Sequence, residues 1–380
     1  MAIRSTHFAL AGLTLLDVGP LRDTTSISFL TTDNEPANIY LVMGPNGGGK
    51  TTLLEAITTA MSMLGAASHT RYGMPALDDG NGGVQLDALV RLDDGTSGES
   101  FILSIVLGGP GLLKNWPEPD LQMVGAAAQL VLRYGVRTGS RTIERFADSD
   151  KQALAFADTI IAEVGEPTRS LFGAGATAFP TLLYFPSDRG IARNGHAGRA
   201  VSRPDQLSYA PVHVFGVDGA TWENSLDNLF VWFAWLADGR EERCRETVNR
   251  YVFRDGTKTL LEVDRELLRA PVSVDGVVEH GLDQLSSGER QLVQLLVRIA
   301  SHMSTATIVL IDETEQHLHL VMRRRLITLI KEWAKEHDGL SFYLTSHQAD
   351  SLRIVAPKVP EEGLRKFGCL VKPRFKAPRR

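Results

Sequence analysis

Alternating and β-branched apolar positions over Phe8 to Leu16 and Ser26 to Leu30, parted by the Gly19-Pro20 turn, predict that the chain opens with a β-hairpin. Asn38 to Met43 is a short apolar run that breaks into a glycine-rich loop, after which Thr51 to Leu64 has apolar residues at helical spacing. Three strand-like runs follow, Val84 to Leu92, Phe101 to Leu107 and Gln129 to Val136, set apart by Gly, Asp and Pro clusters, and they predict an antiparallel sheet. Thr142 to Val164 reads as helix, Thr181 to Phe185 as a buried strand, and Asp188 to Pro211 as a polar loop with little periodicity. Trp222 to Tyr251 reads as a long amphipathic helical region whose aromatics Trp232, Phe233 and Trp235 are assigned to the core. No heptad run is long enough for a coiled coil and no internal repeat is found, so a head without long arms is expected.

Composition narrows the class without naming a function. The 380 residues are 43% hydrophobic and 22% charged, which places the chain in the ordinary globular range with enough apolar content for a large core. No stretch approaches the roughly 20 uninterrupted apolar residues of a membrane span, and no secretory leader is evident, so a cytoplasmic protein with no membrane partner is expected. Cys244 and Cys369 lack metal-ligand spacing, which argues against a structural zinc. A net charge of -5 rules out a generally basic coat, yet Arg365 to Arg380 is dense in Lys and Arg, so any nucleic-acid contact must be local. Such a tail reads most simply as a solvated one.

Four motifs carry chemistry. Gly44-Pro45-Asn46-Gly47-Gly48-Gly49-Lys50-Thr51 fits G-x-x-x-x-G-K-[ST] between a predicted strand and a predicted helix. Glycines let backbone N–H groups turn inward to cradle phosphates, the helix N-terminus adds its positive end, and Lys50 neutralises charge. Thr51 would supply an oxygen to Mg²⁺, and Thr52 extends the candidate nucleotide contacts into the helix. The apolar run Ile308 to Ile311 ends in Asp312-Glu313, as a central buried strand would deliver acids to its C-terminal edge. Asp312 suits Mg²⁺; Glu313 suits the base that orients and deprotonates an attacking water. Leu285-Ser286-Ser287-Gly288-Glu289-Arg290-Gln291 opens a helix, either as an anion site at its N-terminus or as a plain N-cap with Glu289 in the first turn. Phe342-Tyr343-Leu344-Thr345-Ser346-His347 is a further apolar strand ending in a histidine.

The third motif resembles the signature sequence of ABC-type ATPases in the form found in soluble SMC-, RecF- and OLD-like proteins, the AAA-15/AAA-21 group. Phosphate loop, signature, acidic strand and histidine strand also stand in that family's order. The resemblance covers Met1 to Met63 and Asp275 to Leu352, with Thr181 to Arg189 between. It implies an α/β fold, an ABC ATPase head with a RecA-like mixed sheet, an antiparallel β flank and a helical signature lobe. Residues 1–64 and 301–352 would form the nucleotide-binding core, 65–189 a β and helical insertion, 190–300 the helical lobe and 353–380 a basic tail, all in one head spanning 1–380. It further implies ATP with Mg²⁺ as ligands, Lys50 and Glu313 acting with His347, which would sense the γ-phosphate. Ser287, Gly288 and Glu289 of one copy would meet the nucleotide of another, in a homodimer or higher even oligomer.

Thr314-Glu315-Gln316-His317-Leu318-His319 resembles the E-x-H-L-H pattern of those soluble ATPases, which disfavours transporter service and assigns the stretch to subunit contact. The competing metal reading of Glu315, His317 and His319 is the weaker one. Tyr184-Phe185-Pro186-Ser187-Asp188-Arg189 resembles their Y-x-P-x-x-R element, with Arg189 either touching phosphate or a partner or simply solvated. Gln122, Gln129 and Gln206 are candidates for the glutamine that couples lobe movement to Mg²⁺, none in a convincing context. No adenine-stacking aromatic is evident; Phe8 and Phe29 read as core. No room is left for a Toprim nuclease domain, so a separate effector, nuclease or toxin, is expected, in an anti-phage role. The alternatives are a DNA-repair or replication ATPase of the RecF/SMC kind and an ATP-gated scaffold with negligible turnover.

Overall fold

Residues that alternate along the central strands divide between two hydrophobic cores, which is why these strands read as unbroken apolar runs. The computed structural model describes residues 4–93, 98–108, 111–136, 142–146, 148–167, 179–191, 198–204, 206–218, 221–316, 318–348 and 367–371. The chain opens with the expected hairpin, β1 (Arg4–Val18) and β2 (Leu21–Ser28), and continues into β3 (Ile39–Met43) and α1 (Lys50–Ser62). Next come β4 (Ser68–His69), α2 (Pro75–Asp78), β5 (Gly83–Asp93), β6 (Gly98–Gly108), α3 (Glu118–Met123) and β7 (Gln129–Val136). These are followed by β8 (Ile143–Arg145), α4 (Lys151–Glu163), β9 (Pro180–Phe185), β10 (Gly190–Ile191), β11 (Val212–Val214) and β12 (Val217–Asp218). The later part holds α5 (Leu226–Leu236), α6 (Arg240–Tyr251), β13 (Lys258–Leu260), β14 (Val272–Val274), β15 (Val278–His280) and α7 (Ser287–His302). It closes with β16 (Ala306–Ile311), α8 (Leu320–Glu336), β17 (Leu340–Ser346) and β18 (Phe367–Val371).

Two large sheets result. The first runs β2-β1-β5-β6-β7-β8-β4 and is mixed; the second runs β11-β9-β16-β17-β3-β18 with every neighbouring pair parallel. On one face of the parallel sheet, Leu41, Leu183, Val309 and Leu344 pack with α5, α6, α7 and α8. On the other, Val42, Leu182, Leu310 and Tyr343 pack with α1, α4 and the first sheet. The fold is an α/β head with a β flank and a helical lobe.

Several expectations need correction. The β6–β7 pair is parallel, not antiparallel. The connection from Gly108 to Gln129 carries α3 and is long enough for the crossover a parallel pair requires. Within Thr142 to Val164 the helix begins only at Lys151, because Ile143–Arg145 pairs with β7 and the Asp150 carboxylate accepts from Val131 N at 2.6 Å. The long helix over Trp222 to Tyr251 is two, broken where Ala237 and Gly239 take left-handed φ of 52° and 83°. Phe233 is core, but Trp235 is 60% exposed, its ring stacked 4.9 Å from that of Trp232. The basic C-terminal stretch contains a strand, β18, at the edge of the parallel sheet beside β3.

Candidate nucleotide site at the strand ends

The C-terminal ends of β3, β17, β16 and β9 lie side by side, where ligands bind in open parallel sheets. The loop from Gly44 to Gly49 leaves β3 and feeds α1. Gly47 and Gly49 have φ of 75° and 85°, a region L side chains rarely adopt, and a Cβ on Gly49 would stand 3.0 Å from Leu21. Gly48 N–H donates to Pro45 O at 3.1 Å, closing the turn. Lys50 is buried and its ammonium donates to Gly44 O at 3.0 Å and Pro45 O at 3.1 Å, so its charge sits over the loop.

Thr51, one residue into the helix, donates its hydroxyl to Asp312 Oδ2 at 2.7 Å across 261 positions of sequence. Asp312 follows β16 and is fully buried. Its second oxygen accepts from Thr345 Oγ1 at 2.5 Å, and that hydroxyl in turn accepts from Glu313 N at 2.8 Å. Because β17 lies between β3 and β16, Thr345 is the natural bridge between the phosphate loop's strand and the acidic one. A threonine directly after the apolar run Phe342 to Leu344 was the sequence signal for it. The hydroxyl of Thr51 and the carboxylate of Asp312 form a compact pair of hard oxygen donors, which fits Mg²⁺ better than a softer metal.

Glu313 sits at φ 45°, a left-handed conformation for a non-glycine residue. Three bonds hold it there: its N–H donates to Thr345 Oγ1, and its carbonyl accepts from Gln316 N at 2.9 Å and from Arg189 Nη2 at 3.1 Å. Arg189 also donates through Nη1 to Asp312 O at 2.5 Å and Pro186 O at 3.0 Å. Arg189 is only 2% exposed, so neither the solvated reading nor a phosphate contact describes it; it fastens the turn after β16 to the turn after β9. Burial pulls its pKa down to about 10, while the carboxylates of Asp312, Glu315 and Glu313 oppose that shift, and it remains a cation at neutral pH. Burial, with the Asp312 charge second, pushes the carboxyl of Glu55 on α1 upward, and the same two causes raise the Tyr184 hydroxyl.

His347 follows β17 and is held by Glu315, a buried acid: Nδ1 lies 2.9 Å from Glu315 Oε1, and His347 N–H donates to the same oxygen at 2.8 Å. Glu315 therefore faces inward rather than toward a subunit contact. His319 stands at the N-terminal boundary of α8 without a side-chain capping bond, and His317 lies outside the described residues. Among the described residues no group of three or more His, Cys, Asp or Glu is arranged to hold a metal.

The signature turn opens α7. Its N-cap is Ser286, which forms a capping box with Glu289. The Glu289 carboxylate accepts from Ser286 Oγ at 2.7 Å and Lys258 Nζ at 2.8 Å, so it is committed within the chain. Burial works to raise its pKa, but the bonds from Lys258 and Ser286 prevail and hold it below the ordinary range. Ser287 is exposed, while Gly288 is buried where a Cβ would meet Met322 at 3.0 Å. Farther along α7, Gln294, Arg298 and His302 recur every four residues and reach the carbonyls of Gly216, Asn224 and Gln206, tying the signature helix to the segment after β9.

Gln129 is bound into a polar cluster of the first sheet, donating to Ser104 Oγ at 2.8 Å and accepting from Trp116 N at 3.0 Å. Gln122 donates to Glu118, and the carbonyl of Gln206 meets His302. Phe8 and Phe29 are core residues.

Residues 219–352 match the family described as "AAA domain, putative AbiEii toxin, Type IV TA system", and residues 13–87 match an AAA domain family. No curated protein matches the chain. Among solved structures, the chain is similar to the SMC head domain from Thermotoga maritima, at 15% identity over 92% of each chain with a TM-score of 0.39. It is also similar to an SMC head bound to the C-winged helix domain of ScpA, at 12% identity over 91% of each chain and a TM-score of 0.40. A bacterial ABC transporter cassette of dimeric structure gives 14% identity, 91% of this chain, 90% of that chain and a TM-score of 0.32. The second of these family matches encloses the phosphate loop, and the first encloses the signature turn, the acidic strand and His347, so both sides of the site are similar to AAA domains.

Proposed function

We propose that the chain binds MgATP at the Gly44–Thr51 loop and hydrolyses it in a site closed by the signature turn of a second copy. The observation that carries this reading is the 2.7 Å bond between Thr51 and Asp312, two residues remote in sequence whose oxygens meet beside the phosphate loop. A bound Mg²⁺ would neutralise phosphate charge there, with Thr51 and Asp312 as its protein ligands. Lys50 and the inward N–H groups of the loop hold the phosphates, with Thr52 in the first turn of α1 beside them. Glu313 orients the attacking water and takes its proton, from a backbone that Thr345 and Arg189 keep fixed. His347 meets the γ-phosphate. Ser287 and the N–H of Gly288 act in trans on the partner's nucleotide, consistent with the exposure of Ser287 at a helix N-terminus.

The output of the cycle is a shape change that controls a separate effector, a nuclease or toxin, in anti-phage defence. The toxin-system description of the family matching residues 219–352 supports this reading. A DNA-associated role of the RecF/SMC kind is the second reading, favoured by the density of Lys and Arg from Arg365 to Arg380. Identification of what copurifies with the native protein separates them. For the chemistry itself, Glu313→Gln is expected to retain ATP binding while turnover falls by about a thousandfold or more. Loss of ATP binding in that variant, or unchanged turnover, would contradict the assignment.

A further inference from the structure

We propose that Glu315 is a positioning residue that fixes a proton of His347 on Nδ1 and so orients the ring for Nε2 to act as a donor toward the γ-phosphate. The proposal rests on the reading of His347 given above. One oxygen of Glu315 lies 2.9 Å from the ring Nδ1 and accepts from the backbone N–H of His347 at 2.8 Å; the other accepts from Thr314 Oγ1 at 3.2 Å. The Glu315 side chain is 3% exposed and that of His347 35%, so the acid is enclosed while the histidine keeps access to solvent. A carboxylate can only accept, so the ring nitrogen facing it must carry a proton. A neutral ring would then present Nε2 as an acceptor, which cannot bond an oxygen of the γ-phosphate. Only a ring that carries a proton on both nitrogens donates there, with the Glu315 carboxylate facing the opposite nitrogen. The bond to the backbone N–H adds a second constraint, because it holds the turn after β17 as well as the ring.

A double-mutant cycle in steady-state ATP turnover tests this, with His347→Ala and Glu315→Gln made singly and together. Glutamine keeps an oxygen acceptor for both N–H groups and removes the charge. Glu315→Gln is expected to lower kcat about tenfold or more with KM within about twofold, and to add nothing in the His347→Ala background. An equal loss in that background would show a merely structural role and overturn the proposal. Full turnover by Glu315→Gln, with His347→Ala impaired, overturns the proposal alone; full turnover by His347→Ala overturns the reading beneath it. Nitrogen NMR of the ring, assigned by the signal that vanishes in His347→Gln, gives a readout independent of turnover. Nδ1 is expected to be protonated, and an unprotonated Nδ1 would refute the proposal.

Discussion

The turn after β16 is where the site stores strain. A left-handed glutamate costs about 1–2 kcal/mol relative to ordinary backbone, and at Glu313 that cost is offset by bonds on both its N–H and its carbonyl. Arg189 makes three of the bonds that hold this region, all to backbone carbonyls, from a position shielded from water. Removing its side chain takes away the side-chain donor to the Asp312 carbonyl and leaves an empty volume, while the Glu313 and Pro186 carbonyls keep backbone donors. Arg189→Ala is therefore expected to lower stability by about 3 kcal/mol, measured by denaturant unfolding, and to lower turnover because Glu313 loses its anchor. A variant of native stability and full activity would show that the guanidinium is dispensable. The role of Arg189 could not be read from the sequence, where an arginine after a proline turn looks the same whether solvated or enclosed. The phosphate loop was legible because its glycines answer a backbone requirement that no other residue meets.

Among the elements, α7 ties the signature turn to the segment after β9 through Gln294, Arg298 and His302. His302 is almost fully buried, with ring nitrogens 2.7 Å and 2.9 Å from the carbonyls of Arg298 and Gln206. Burial, and then the Arg298 charge, pushes its pKa down to about 4 from the usual 6.5. Neighbouring His213 is shifted downward as well, by burial and then by His302 and Arg298. Between these two values the unfolded chain binds more protons than the folded one, so stability present above pH 6.5 is lost as pH falls toward 4. At pH 5 the His302 contribution is about 2 kcal/mol. His302→Gln should accordingly lose less stability than the native protein between pH 7 and pH 5 by chemical denaturation; equal losses would assign the sensitivity elsewhere. Strand positions were largely legible from apolar runs, but strand direction was not: periodicity is the same for parallel and antiparallel partners, and β7 joins β6 through a crossover. The break between α5 and α6 was hidden because its first left-handed residue is Ala237, not a glycine.

Over the whole molecule, residues more than 250 positions apart meet at one sheet edge, and this was foreseeable only through the order of motifs rather than through any local pattern. What local reading could not supply was the closure of the site, since Thr345 and Glu315 reveal their purpose only once β17 lies between β3 and β16. Ser287 stands exposed at the opening of α7, so a second copy is the proposed source of the remaining phosphate contacts. Ser287→Arg is expected to bind ATP as a monomer without dimerising, because a bulky cation replaces the small group at the sandwich face; ATP-dependent dimerisation at the native level would count against that face. The most direct measurement is the mass of Glu313→Gln by light scattering on a sizing column, with and without MgATP. A shift from the 41.6 kDa of one chain to twice that mass is expected on adding MgATP, as is its abolition when Ser287→Arg is added. An unchanged mass under saturating MgATP would contradict it.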